Sequence, residues 1–96
     1  MKKNGPDAVE IPIDGVLDLH TFRPQDVKDL VSNYLEECRR RRILHVRIIH
    51  GKGSGTLKRI VRGVLEKDPA VADYRDAGPG GGDWGATQVT LKPDKL

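Results

Sequence analysis

Ile43-Leu44-His45-Val46-Arg47-Ile48-Ile49-His50-Gly51-Lys52-Gly53-Ser54-Gly55-Thr56-Leu57-Lys58-Arg59-Ile60-Val61-Arg62-Gly63-Val64-Leu65 is the stretch from which the fold can be read. Its start is rich in β-branched side chains, with Leu44, Val46 and Ile48 on one face and His45, Arg47 and Ile49 on the other, so Ile43–Ile49 reads as a strand ending at His50. Glycines punctuate 51–55, and Leu57, Ile60, Val61, Val64 and Leu65 then switch the apolar period to that of a helix, with Lys58, Arg59 and Arg62 off the stripe. A strand that passes through a glycine turn into an amphipathic helix is the core of a β-α-β unit, which places the chain in the α/β class.

Upstream, Val27, Leu30, Val31, Tyr34, Leu35 and Cys38 recur at helical spacing behind Pro24, and the helix they mark ends near Arg39–Arg42, cations suited to the negative end of its dipole. Before it, Val9 to His20 is strand-like: Ile11 and Ile13 alternate ahead of Gly15, and Val16-Leu17-Asp18-Leu19-His20 follows. Downstream, Asp68-Pro69 breaks the second helix, Val71–Ala77 reads as a strand, Gly78–Asp83 as a turn, and Thr87–Lys92 as a last strand. The expected architecture is a two-layer sandwich, β-α-β-α-β-β, with a mixed four-stranded sheet and both helices on one face. Residues 1–8 read as a loose leader and 9–96 as a single domain.

The chain of 96 residues has room for one core, and its one cysteine, Cys38, excludes an internal disulfide framework and any multi-thiolate metal site. Cys38 continues the apolar stripe of the first helix and reads as a small core residue. No apolar run approaches the roughly 18 residues of a membrane span, which predicts no membrane partner and a cytoplasmic setting, with a monomer as the default state. The net charge of +3 hides a strong asymmetry: residues 38–65 contain nine Lys or Arg and no Asp or Glu. A basic segment on an acidic background predicts a polyanion partner, nucleic acid first.

Asp18 and His20 stand at i and i+2 on one strand, so both point away from Leu17 and Leu19. If the first two strands are parallel neighbours, His20 and His50 both lie at carboxyl ends beside the glycine loop, where open α/β sheets bind ligands. A carboxylate next to an imidazole fixes its tautomer and raises its basicity, so Asp18, His20 and His50 together are candidates for acid–base chemistry at a phosphodiester. His50-Gly51-Lys52-Gly53-Ser54-Gly55-Thr56 has the composition for backbone amides to close on a phosphate at a helix N-terminus, with Lys52 adding a fixed charge. Its spacing is not that of a P-loop, which disfavours nucleoside triphosphate hydrolysis. Lys58 and Arg62 on the helix flank extend the candidate substrate contacts. Arg39–Arg42 either tracks a nucleic-acid backbone or solvates a helix end, and Trp84, the one Trp, either stacks a base or folds back on the core.

Three segments together resemble the Smr (small MutS-related) domain: Leu17-Asp18-Leu19-His20, then His50-Gly51-Lys52-Gly53-Ser54-Gly55-Thr56-Leu57-Lys58, then Gly81-Gly82-Asp83-Trp84-Gly85-Ala86-Thr87 ahead of Val89 and Leu91. The resemblance covers about residues 16–92 and implies a two-layer α/β fold, nucleic-acid binding and endonuclease activity, nicking DNA or cleaving RNA, in DNA repair, recombination or RNA surveillance. It ties Asp18 and His20 to cleavage, and His50, Lys52, Gly53 and Gly55 to substrate binding and activity. Two positions depart from the pattern: Thr21 stands where the family usually has Gly, and Arg23 where it has a Thr before the helix proline. The second removes a good N-cap, worth roughly 1 kcal/mol.

Two function classes fit these residues. In an endonuclease, His20 oriented by Asp18 moves the proton of the attacking group, Lys52 and the loop amides hold the phosphate, and His50 is a second proton-transfer group or a phosphate donor. An RNA 2′-hydroxyl needs no metal, whereas water attack on DNA leaves room for Mg or Mn at Asp18 and His20. In a non-catalytic module for branched or structured nucleic acid, the same basic surface binds and Asp18 and His20 are dispensable.

Overall fold

A computed structural model of the chain describes residues 11–53, 55–78 and 85–93. They form β1 (Val16–Asp18), α1 (Pro24–Arg40), β2 (His45–Ile49), α2 (Thr56–Lys67), β3 (Val71–Asp76) and β4 (Ala86–Leu91). The sheet order is β1-β2-β4-β3, with β1 parallel to β2 and β4 antiparallel to both β2 and β3. β1, β2 and β3 therefore run the same way, and β4 runs against them between β2 and β3. The two helical connections are parallel crossovers and β3–β4 is antiparallel, as the β-α-β-α-β-β reading expects.

One face of the sheet carries Leu17, Leu19, Val46, Ile48, Val89 and Leu91, all buried against Val27, Val31, Tyr34, Leu35 and Cys38 of α1 and Val61 and Leu65 of α2. Burying each large aliphatic side chain contributes about 1.5–3 kcal/mol, which is why the helices sit there. The alternate positions, Asp18 and His45 exposed and Arg47, Ile49, Gln88 and Thr90 half-buried, form the opposite face, which no described helix covers. Cys38 is fully buried and burial pushes its thiol pKa up, in keeping with a core residue.

α1 starts at Pro24 behind Arg23, which makes no side-chain capping bond, so the expected loss of an N-cap is real. Arg23 instead reaches Asp26 in the first turn, at 3.3 Å. Thr21 has no positive φ, so the exchange of Gly for Thr leaves no backbone strain there. The carboxyl end of α1 is closed by Ile43 N–H to the Cys38 carbonyl at 2.8 Å and Arg42 N–H to that of Arg39 at 3.0 Å, with Arg42 at φ 64. This is the Schellman pattern. It takes residues 42 and 43 into the turn, and β2 begins at His45 instead of the expected Ile43.

The first strand is also shorter than the pattern from Val9 to His20 suggests. Ile11 and Ile13 pack on the core without sheet pairing, because Pro12 offers no N–H and Gly15, at φ 95, turns the chain into β1. The Tyr34 hydroxyl pins this entry: it accepts the Gly15 N–H at 3.1 Å, and its proton is shared between the Val16 and Pro12 carbonyls at 3.2 and 3.3 Å. The expected leader, residues 1–8, and Val9 lie outside the described residues. No helix among the described residues is long and apolar enough to cross a membrane.

Candidate active site

Alternation along β1 puts Leu17 and Leu19 in the core and leaves Asp18 and His20 on the open side, at the carboxyl end of the strand. Asp18 Oδ1 accepts both the His20 main-chain N–H, at 3.0 Å, and the Nδ1–H of its ring, at 2.8 Å. These two bonds hold the Asp18 carboxyl below its ordinary pKa, the backbone bond contributing most, so it is ionised at neutral pH. An ionised carboxylate only accepts, so Nδ1 carries a proton, and in the neutral ring Nε2 is the nitrogen that presents its lone pair. With the His20 side chain 74% exposed, that lone pair is open to an incoming ligand.

β1 and β2 are adjacent and parallel, with Asp18 opposite Ile49, so His50 follows at the same end of the sheet as His20. Its side chain, however, takes the opposite side. Ile48 is a core residue, Ile49 faces outward, and His50 turns back toward the helix layer, where Nε2 lies 2.8 Å from the Oγ1 of fully buried Thr87. Nδ1 lies 3.1 Å from the Gly51 carbonyl, an acceptor only, so Nδ1 carries the proton and the Thr87 hydroxyl donates to Nε2. Burial, then the positive charges of Lys58 and Arg62, push the His50 pKa below its ordinary value. The structure thus brings Asp18 and His20 together, but His50 bonds to neither.

The glycine loop is anchored by one acceptor: the Gly85 carbonyl receives the N–H groups of His50 and Gly51, at 3.0 and 2.8 Å. The Lys52 stem lies across Gly85, so closely that a Cβ there would stand 2.9 Å from Lys52 Cγ. Gly53 and Gly55 are exposed; Gly55, at φ 88, caps α2 without a side-chain bond, and the first turn of α2 holds no acidic residue. Ser54 and Trp84, both candidate substrate contacts, lie outside the described residues. Lys58 and Arg62 share Asp76, whose Oδ1 is 3.1 Å from Lys58 Nζ and 2.7 Å from an Arg62 nitrogen, while Arg62 also lies 5.4 Å over the Tyr74 ring. Of the arginine run, Arg39 donates to the Lys92 and Pro93 carbonyls and Arg40 and Arg41 pair with Glu37, which ties three of the four to the fold.

No group of three or more His, Cys, Asp or Glu among the described residues is placed to hold a metal ion. Asp18 and His20 offer one carboxylate, already engaged by two N–H groups, and one imidazole, a poor match to the all-oxygen shell that Mg prefers. Gly85, Thr87 and Asp76 are the site-shaping residues that sequence patterns did not single out. The first two belong to the third Smr-like segment, Gly85 just before β4 and Thr87 within it, where no role was read for them, whereas nothing in the sequence couples Asp76 to Lys58 and Arg62.

A profile of the Smr domain family matches residues 17–92. Over 63 residues the chain is 41% identical to endonuclease MutS2 of Thermus thermophilus, covering 66% of this chain and 8% of that protein. Over 76 residues it is 38% identical to endonuclease MutS2 of Staphylococcus aureus, covering 79% of this chain and 11% of that one. It therefore spans only about a tenth of the length of these curated relatives. Among solved structures, the Smr domain of Thermus thermophilus MutS2 is similar at a TM-score of 0.77 and 36% identity, covering 81% of this chain and 98% of that one. YdaL, a stand-alone small MutS-related protein from Escherichia coli, is similar at 0.71 and 28% identity, covering 84% and 66%. The profile runs from the first core residue of β1 to the end of β4 and so takes in every helix and strand described above: the chain belongs to the Smr domain family.

Proposed function

We propose that the chain is a nucleic-acid endonuclease domain in which His20 is the general base and the glycine loop the phosphate site. The observation that carries this reading is the Asp18–His20 pair, an exposed imidazole held in one tautomer at 2.8 Å beside the loop end of the sheet. The endonuclease name of the MutS2 relatives supports the same reading. His20 Nε2 takes the proton of the attacking oxygen, that oxygen bonds to phosphorus, and the P–O bond to the leaving oxygen breaks. The leaving oxygen then takes a proton from the imidazolium or from water. Lys52, the loop amides and the N-terminus of α2 face the charge that grows on the phosphate. His50, with both ring nitrogens engaged, serves by holding Gly51 and Lys52 in place.

The test is cleavage of end-labelled single-stranded RNA and of supercoiled plasmid, each with and without EDTA. His20→Ala lowers the rate by about 100-fold or more, the range of a lost general base, and Asp18→Asn lowers it through the wrong tautomer. RNA cleavage that survives EDTA but not His20→Ala makes the domain a metal-independent ribonuclease using Asp18 and His20; EDTA-sensitive plasmid nicking puts a metal ion at that site. Full activity in His20→Ala would sink the assignment. Absence of cleavage with binding retained would make the domain a nucleic-acid-binding module instead.

A further inference from the structure

The sheet face turned away from the helices carries a feature that neither the core nor the dyad uses. Arg47 on β2 stands opposite Gln88 on β4, and Gln88 stands opposite Arg75 on β3, with Val16 of β1 completing the row. The next row toward the loop end is Asp18, Ile49 and Ala86, so the arginine row runs directly beside the dyad. At the strand spacing of a sheet, the two arginines are about 10 Å apart. Among the described residues neither has an ion pair or side-chain hydrogen bond, whereas Arg23, Arg40, Arg41 and Arg62 are all matched to carboxylates. Arg47 Nε, like that of Arg62, is buried without a partner among the described residues. The row itself holds no carboxylate: Asp18, in the next row, is turned to His20, and Asp73, two residues before Arg75 on the same face, makes no ion pair among the described residues.

We propose that this open face is a second nucleic-acid contact surface, a track for the phosphates of one strand whose reacting phosphate lies at His20 and the loop. The inference rests on the endonuclease reading and extends its footprint across the sheet. Two unpaired guanidinium groups fit phosphate oxygens in charge and geometry. The residues described on this face, Val16, Asp18, His45, Arg47, Ile49, Asp73, Arg75, Ala86, Gln88 and Thr90, include no Phe, Tyr or Trp, and its guanidinium groups match phosphate oxygens, so the contact is to the backbone.

The experiment measures binding of a labelled single-stranded oligonucleotide against salt for wild type, Arg47→Ala, Arg75→Ala, both together, Arg47→Lys, Lys52→Ala and Lys28→Ala. Each lost phosphate contact flattens the slope of log K against log salt by about 0.7, so the double variant loses about 1.4. Arg47→Lys keeps the slope, and Lys28→Ala, an exposed charge on the helix layer, leaves it unchanged. Thermal melts accompany every variant; Arg75 is exposed and unpaired, so its loss leaves folding intact even where that of Arg47 does not. If Lys52→Ala flattens the slope while the arginine variants bind like wild type, the sheet-face track is wrong and the loop site stands. Equal losses in Lys28→Ala would reduce the effect to net charge and also overturn the track. Salt-independent binding by the wild type overturns both.

Discussion

Gly85 is where a missing side chain does something specific. Its carbonyl closes two amides of the loop, and the space above its Cα is filled by the stem of Lys52. Gly85→Ala puts a methyl 2.9 Å from Lys52 Cγ and forces that arm to swing. The expected outcome is a salt slope flattened by about 0.7, as for one lost phosphate contact. In a Lys52→Ala background the same change has no further effect, and a double-mutant cycle on oligonucleotide binding checks this. Additive losses would mean that Gly85 acts on the fold and not on the lysine. At this scale the sequence was partly legible. Alternation placed Asp18 and His20 on one side of β1, and the same rule carried one residue past Ile49 turns His50 to the other side. What drew His50 toward the dyad was its place in the sequence beside the glycines, which says nothing about where its ring points.

The elements were legible wherever an apolar period ran long enough. Both helices carry their buried stripes at the expected positions, and the sheet face of β2 follows strict alternation. Ends were less legible because turns decide them. The Schellman closure of α1 is invisible in Arg39–Arg42, since the left-handed position that usually holds Gly is held here by Arg42. That placement predicts a gain: Arg42→Gly relieves the left-handed strain and stabilises the domain by about 1 kcal/mol, less any loss of interaction with the helix dipole. The melting temperature should then rise by about 4–8 °C. A lower melting temperature would show that the Arg42 charge contributes more than its backbone costs. Residues 11–14 are a milder case of the same lesson, apolar alternation without pairing, because one proline and one left-handed glycine deny the segment a neighbour.

At the scale of the whole molecule, the charge pattern was legible as a sum and not as a set of pairs. The segment 38–65 is basic in sequence, yet Asp76 lies 14 residues beyond Arg62 and neutralises part of it, a contact that only the crossover brings about. The folded state's grip on protons predicts an acid response in two steps. The His50 pKa lies below the 6.5 of a free imidazole when folded, so between that value and the folded one the unfolded chain binds more protons. Stability is fully present above 6.5 and falls as pH drops through this window. Asp18 and Asp76, both held below 3.8, add a second loss that begins only as pH falls past that value. Melting curves of wild type and His50→Gln over pH should differ in the first step alone; an identical slope from about pH 7 to 5 in both would place the upper step elsewhere. One arrangement also orders events in time. The central antiparallel strand, β4, follows the other five elements along the chain, and until it is made β3 has no neighbour, β2 has a bare edge, and the loop lacks both Gly85 and Thr87. A nascent chain that has already emitted Asp18, His20 and Lys52 therefore holds the parts of the site without their support, and the ribosome delivers the strand that assembles them only after the other five elements.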